Sequence, residues 1–161
     1  MKSQNGWPAS ANRNAIGIKN YIIPGAKRHL SCAEAVAPIL VEFAAWFHKY
    51  IEPIDKGEIY DDFGYATPKL IPGSNVYSNH ASGTALDLNS TKHRWLARKS
   101  GFTLRQEILI KGKCKKLSIR WGWTYKTRKD PMHYEFIGTP AEAKAIIARL
   151  KLPMPKEGTV K

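Results

Sequence analysis

Apolar residues at intervals of three and four positions predict a helix in the first third of the chain, because this spacing puts them on one helical face. The pattern follows a candidate N-cap at Ser31, and its apolar positions are Val36, Leu40, Phe43, Phe47 and Tyr50. Pro38 lies inside the pattern and should bend the helix or delay its start, and Pro53 marks its predicted end.

Two further helices are predicted from capping boxes, in which a Thr and a Gln or Glu three residues later satisfy free backbone N–H groups at a helix start. Residues 103–106 have the form Thr-x-x-Gln, and Gly112 is a candidate end for the helix that follows. Residues 139–142 have the form Thr-x-x-Glu with Pro140 at the first helical position, and this helix should run to about Leu150.

Alternating residue types predict short strands at 84–89, 117–121 and 132–137. Residues 5–30 are rich in Asn, Gly and Pro and should form a loop with one edge strand, whereas residues 55–79 should form a long functional loop or short strands. We therefore expect an α+β fold, in which a small, mainly antiparallel sheet packs against two or three helices.

The length and composition of the chain indicate one domain. With 161 residues, of which 43% are hydrophobic, it can bury one sizeable core. We expect this domain to span residues 1–152 and to be followed by a disordered tail at 153–161. The two cysteines, Cys32 and Cys114, are far apart and should be reduced, ordinary residues.

His80, Asp87 and His133 are the candidate metal ligands. A hydrolytic zinc ion takes three nitrogen or carboxylate ligands from the protein and leaves a fourth position open for water. Two neutral imidazoles and one carboxylate meet this requirement. The sequence therefore predicts a catalytic zinc site carried by the strands at 84–89 and 132–137. The other histidines, His29, His48 and His93, are expected to have ordinary surface or core roles.

Two carboxylates are candidates for the general base that takes a proton from the attacking water. Asp130 precedes His133 by three residues, with Pro131 restricting the backbone between them. Glu135 is the rival, because strand geometry puts it on the same face as His133, with Tyr134 and Phe136 on the other face. We rank Asp130 first.

The charge of the chain predicts an anionic partner. Lys and Arg total 26 against 13 Asp and Glu, a net charge of +13. Nucleic acid and the anionic polymers of a bacterial wall would both be attracted. A basic binding module without catalytic activity is therefore an alternative to an enzyme, and it would bind in a strongly salt-dependent way.

The motif Ser78-x-His80-x-x-Gly83-x-Ala85-x-Asp87, followed by Asp-x-x-His at 130–133, resembles the zinc-dependent D-alanyl-D-alanine carboxypeptidase and dipeptidase superfamily. Within it, the chain is most similar to the L-alanyl-D-glutamate endopeptidases of phage endolysins, and in particular to the peptidase domains of lysins from actinobacterial phages. The resemblance runs from residue 5 to about residue 137. Four further segments carry it, at residues 5–10, 64–66, 120–122 and 132–135.

The resemblance implies zinc on His80, Asp87 and His133, with Asp130 as the base. Relatives often carry Gly-Tyr-Arg where this chain has Ala66, and that arginine is thought to polarise the scissile carbonyl. Lys69 is the nearest cation that could replace it, and Ser78 is a second candidate substrate-binding residue. Thr124 also stands where relatives frequently carry Asp.

The expected function is hydrolysis of the L-Ala–D-Glu bond in the peptidoglycan stem peptide, as a phage endolysin that lyses the host cell. The resemblance leaves open a D-Ala–D-Ala carboxypeptidase or dipeptidase with the same metal site. We expect a monomer whose partners are peptidoglycan and anionic wall polymers. We expect no nucleic-acid partner and no membrane-spanning segment.

The start of the sequence lacks the apolar core of a signal peptide. No later run approaches the roughly 18 apolar residues of a membrane span. We therefore expect synthesis in the cytoplasm of an infected host and release to the cell wall by another protein, as holins do for endolysins of this family.

Overall fold

A computed structural model describes residues 1–160 as an arrangement of helices and two small sheets. The α-helices are α1 (Ala37–Tyr50), α2 (Leu104–Leu117) and α3 (Pro140–Leu150). The strands are β1 (Ile18–Ile22), β2 (His29–Ala33), β3 (Ala85–Asp87), β4 (Ile119–Trp121) and β5 (His133–Phe136). Short 3₁₀ turns lie at Arg13–Ile16, Glu34–Val36, Asn79–Ser82 and Gly122–Thr124. The predicted α+β fold is confirmed.

Both sheets are antiparallel. β1 and β2 form a hairpin, and the second sheet has the order β3-β5-β4, with β5 at its centre. The register puts Asp87 opposite His133 and Arg120 opposite Glu135. Because side chains alternate along a strand, these residues lie on one face of the three-stranded sheet.

The other face of this sheet packs on α1. The ring of Tyr134 lies 4.7 Å from Phe43 and 5.9 Å from Phe47, between ring centroids. Trp121 stacks on Tyr134 with an interplanar angle of 5°. All four side chains are fully buried. β5 therefore separates an aromatic core on one side from polar residues on the other, as its alternation predicts.

The first helix begins later than its apolar pattern predicts. Ser31 does not cap it, because residues 29–33 form β2 and pair with β1 along their whole length. Pro38 lies in the first turn of α1. Backbone N–H groups in a first turn have no partner within the helix, so the N–H that proline lacks costs no hydrogen bond. The proline therefore delays the helix and does not bend it.

The other two helices start at their predicted caps. Both capping boxes are present, with Thr103 and Thr139 as N-caps. α2 continues past Gly112 to Leu117, and the left-handed backbone of Ser118 (φ 53°) closes the helix. α3 ends at Leu150 as predicted. Within the part of the chain that the structure describes, no helix is long and apolar enough to cross a membrane.

The N-terminal segment is hydrogen-bonded to the three-stranded sheet and the turn before it. The side-chain amide of Asn5 donates to Thr84 Oγ1 at 2.8 Å and to the carbonyl oxygen of Phe136 at 2.9 Å. The backbone N–H of Asn5 donates to Asn79 Oδ1 at 2.9 Å. One residue therefore links β5, the residue that precedes β3 and the Asn79–Ser82 turn.

Part of the segment predicted to be a disordered tail, residues 153–161, lies beside β1. Tyr21 and Glu157 form an antiparallel bridge. Lys19 Nζ and a carboxylate oxygen of Glu157 are 2.8 Å apart. The outer edge of β1 has backbone N–H and C=O groups that β2 does not use. Residues of the C-terminal segment form hydrogen bonds with these groups, so this part of the segment is ordered. Lys161 lies outside the described residues.

The cysteines, His48 and His93 have structural contacts outside the metal cluster. Cys32 and Cys114 are both unpaired and buried. His93 is buried, its Nε2 contacts a carboxylate oxygen of Glu52, and its ring stacks on Phe102. His48 Nδ1 accepts a hydrogen bond from the backbone N–H of Ile54.

Phe43→Ala should lower the free energy of unfolding by about 3–5 kcal/mol, because it leaves a cavity beside Tyr134 at the centre of the core. Urea denaturation followed by tryptophan fluorescence measures this change. Leu104→Ala is the matched control, since Leu104 is 75% exposed and its loss should change stability by no more than about 0.5 kcal/mol. Equal effects of the two substitutions would contradict the position of the core.

Candidate active site

The three candidate ligands come from three separate elements that meet at one end of the second sheet. His80 lies in the Asn79–Ser82 turn, Asp87 ends β3 and His133 begins β5. The turn is held by Ser78, whose hydroxyl accepts a hydrogen bond from the N–H of His80. It is closed by Gly83, whose left-handed φ of 65° allows the chain to turn directly into β3.

The ligand atoms of these residues are spaced as a tetrahedral metal requires. His80 Nε2 is 3.1 Å from His133 Nδ1 and 3.3 Å from Asp87 Oδ1, and the last two atoms are 3.0 Å apart. Ligands about 2.0–2.1 Å from a zinc ion in tetrahedral geometry are separated by about 3.3 Å. The donor set and its spacing therefore fit zinc.

Both imidazole rings are oriented by a hydrogen bond from the nitrogen that faces away from the cluster. His80 Nδ1 lies 2.6 Å from the carbonyl oxygen of Gly64, and His133 Nε2 lies 3.3 Å from Glu135 Oε2. Because a carbonyl and a carboxylate oxygen can only accept, these nitrogens carry hydrogen. The lone pairs of His80 Nε2 and His133 Nδ1 are thus left for a metal, as is usual for histidine ligands.

Gly64 can supply its carbonyl only because it has no side chain. A Cβ at this position would lie 2.1 Å from the backbone oxygen of Ser31 in β2. The absence of a Cβ lets the backbone at residue 64 pack against β2 while it accepts the hydrogen bond from His80.

Glu135 is fully engaged beside His133. Its Oε2 accepts a hydrogen bond of 2.6 Å from the Asn79 amide, and its Oε1 accepts one of 2.8 Å from the Tyr125 hydroxyl. Burial would raise the pKa of Glu135, but these bonds and the one from His133 lower it to about 2. Glu135 is therefore a charged, immobilised carboxylate that orients His133, and its oxygens are not free to accept a proton from water.

Asp130 has the opposite surroundings. Its Oδ1 is buried and has no hydrogen-bond partner in residues 1–160. Burial raises the pKa of Asp130 to about 6, although the positive charge of His133 works against this rise. Its backbone is held in place, since its N–H donates to the Gly122 carbonyl and its own carbonyl accepts from the His133 N–H. A carboxyl group with one unpartnered oxygen and this pKa suits proton transfer near neutral pH.

The charged groups within the cluster shift one another's pKa values. Burial would raise the pKa of Asp87, but His80 and His133 hold it well below its usual range. Without a metal, burial would lower the pKa of His133, but hydrogen bonds with Asp87 and Glu135 raise it to about 10, so a zinc ion would displace the proton from Nδ1 when it binds. Asp87 therefore remains an anionic ligand throughout the neutral range of pH.

A cleft of about 770 Å³ opens over the cluster, within the size range of small-ligand sites. Asp130 and His133 lie in its wall, and so do Lys69 and Ser78, the predicted substrate-binding residues. The side chain of Lys69 is exposed to the cleft, while the Ser78 hydroxyl is also the cap of the turn that carries His80.

Sequence reasoning missed several residues that complete this site. The Gly64 carbonyl, the Asn79 amide, the Tyr125 hydroxyl and Arg120 in the cleft wall were not assigned roles. Gly64, Asn79 and Arg120 lie within segments that carry the family resemblance. This resemblance could have marked them as residues of the site. Tyr125 lies outside those segments, so only the fold reveals its contact with Glu135.

Comparison with known proteins matches part of the chain to a family model. A family model described as D-alanyl-D-alanine carboxypeptidase matches residues 72–136, a segment that includes His80, Asp87, Asp130 and His133. This match supports a zinc metallopeptidase that acts on peptidoglycan. No curated protein and no solved structure matches the chain significantly.

Gly122→Ala should damage the site, because a Cβ there would lie 2.4 Å from the Asp130 carbonyl oxygen and 3.2 Å from the Cβ of His133. We expect a loss of stability of about 1–3 kcal/mol from overpacking and weaker zinc binding from the displacement of His133. Urea denaturation of the metal-free protein and competition with a chromophoric zinc chelator measure the two effects.

Gly112→Ala is the matched control for this substitution. Gly112 lies within α2, and an added Cβ would meet no atom within 4 Å. It should raise stability by about 0.5–1 kcal/mol, because Ala favours the helix, and leave zinc affinity unchanged. Unaltered zinc binding and stability in Gly122→Ala would refute the close approach at residue 122.

Proposed function

We propose that this chain is a zinc endopeptidase that hydrolyses the L-Ala–D-Glu bond of the peptidoglycan stem peptide. The observation that supports it best is the combination of three ligand atoms 3.0–3.3 Å apart with Asp130, a carboxyl group with one unpartnered oxygen, in the same cleft. The family match supports the zinc peptidase chemistry, and the resemblance to phage endolysins supports the choice of bond.

In this proposal, His80 Nε2, Asp87 Oδ1 and His133 Nδ1 hold the zinc ion. When bound, zinc polarises the scissile carbonyl and makes an attacking water more acidic. Asp130 takes a proton from that water and delivers it to the nitrogen of the leaving amine as the C–N bond breaks. The products are a carboxylate at L-Ala and a free amine at D-Glu.

Other residues of the cleft position the substrate or the ligands. Glu135 holds the ring of His133 in place through Nε2. Lys69 would donate a hydrogen bond to the carbonyl oxygen under attack, in place of the arginine absent at Ala66. Ser78 would contact the peptide backbone from the edge of the turn that carries His80.

The cellular setting is part of the same proposal. The protein would act as a monomer on the wall of an infected cell, which it would reach from the cytoplasm by the action of another protein. The net charge of +13 would hold it near the anionic polymers of that wall.

A D-Ala–D-Ala carboxypeptidase is the second candidate, because the matching family model carries that description. The same ligands and the same base would serve, since the chemistry of peptide hydrolysis is shared. The two candidates differ only in the bond that is presented to the zinc ion.

Purified peptidoglycan incubated with the protein should release new amino termini, and a chelator should stop the release until zinc is added back. His133→Ala should lose both zinc and hydrolysis, whereas His29→Ala, on β2 outside the cleft, should keep both. Amine labelling measures turnover and mass spectrometry identifies the bond. New amino-terminal D-Glu supports the endopeptidase, and free D-Ala supports the carboxypeptidase. Salt-sensitive binding without turnover would favour a binding module.

Asp130→Asn should retain zinc but lower kcat by roughly 10²–10⁴-fold, because it removes the proton acceptor without changing shape. Glu135→Gln should instead weaken zinc binding by roughly 10–100-fold and recover activity at saturating zinc, because it disturbs the orientation of His133. Steady-state kinetics over a range of zinc concentrations separate the two effects. If Glu135→Gln lost turnover with zinc bound while Asp130→Asn stayed active, the roles would be reversed.

A further inference from the structure

The cleft over the metal cluster carries an excess of positive charge. Among the described residues that line it, four are cationic and two are acidic, and the acidic ones are the ligand Asp87 and the base Asp130. The cations are Lys69, Arg120, Lys126 and Arg128. Because zinc would add further positive charge, the cleft is suited to a peptide that carries negative charge.

Arg120 differs from the other three cations because it lies on a β-strand. It lies on β4, directly opposite Glu135 and hence near His133, which is two residues before Glu135 on β5. Lys69, Lys126 and Arg128 lie outside the helices and strands. A side chain on a rigid strand next to the reacting centre is positioned more accurately than one on a loop.

The guanidinium of Arg120 is available to a ligand. Its side chain is 49% exposed, and its Nε lies 3.8 Å from Glu135 Oε1, beyond hydrogen-bond distance. That oxygen already accepts the Tyr125 hydroxyl at 2.8 Å. In residues 1–160, we find no hydrogen bond donated by the Arg120 side chain, which lines the cleft.

We propose that Arg120 binds a substrate carboxylate and makes the enzyme selective for stem peptides in which D-Glu keeps its free α-carboxylate. This inference rests on the proposed function. The D-Glu residue is joined to the next residue through its γ-carboxyl group, so its α-carboxylate lies next to the bond that is cut. Guanidinium and carboxylate form paired, charge-assisted hydrogen bonds, which an uncharged carboxamide at the same position would lose.

The test uses two synthetic stem peptides that differ only at this group, one with the α-carboxylate of D-Glu and one with the α-carboxamide. The zinc-loaded protein should cleave the carboxylate peptide with a kcat/KM roughly tenfold to a hundredfold higher, the range expected for a hydrogen bond to a charged group. Arg120→Ala should remove this preference by slowing the carboxylate peptide alone. Arg120→Lys should keep part of it.

Two controls separate substrate binding from a structural role. Arg149→Ala, an exposed position on α3, should behave as wild type. Zinc content measured for each variant should be equal. If Arg120 only balances the charge of Glu135, its removal would slow both peptides equally and leave the preference intact, and this result would overturn the inference.

Failure of the proposed function gives a different result. If the wild-type protein cleaves neither peptide, the proposed bond is wrong, and calorimetric titration of both peptides into the same proteins then decides the role of Arg120. Tighter binding of the carboxylate peptide, lost in Arg120→Ala, would support the carboxylate site. Equal binding of the two peptides by the wild type would overturn it.

Discussion

The antiparallel pairing of β3 with β5 is the constraint on which the site depends. It sets Asp87 opposite His133 and directs both side chains away from the aromatic core. A slip of one residue would turn His133 toward α1 and Tyr134 toward the cleft. The packing of Tyr134 against Phe43 therefore defines the register that the metal cluster requires, and core and site are two faces of one strand.

Three carboxylates lie around the cluster, and their surroundings give them different capacities. Asp87 faces two imidazoles and stays ionised. Glu135 is surrounded by donors, which hold its charge and its position. Asp130 is buried without a partner for Oδ1, so its pKa is raised toward neutrality. A single type of functional group thus provides a ligand, an orienting acceptor and a proton carrier, according to its neighbours.

Sequence alone was sufficient where the relevant interaction is local. The capping box at 139–142 involves residues three apart, and α3 begins where it predicts. The start of α1 could not be predicted in this way, because residues 29–33 are withdrawn from the helix by pairing with β1. The choice between Asp130 and Glu135 is also non-local, since it depends on donors such as Tyr125 that only the fold brings near. The ligand triad was accessible because its spacing follows a recognisable motif.

The hydrogen bonds of Asn5 give the N-terminal segment a role in maintaining the site. Asn5 is 74 positions from Asn79 in the chain, yet it holds that residue, which in turn donates to Glu135. The position of the Glu135 carboxylate, and with it the ring of His133, is thus coupled to a segment at the opposite end of the domain sequence.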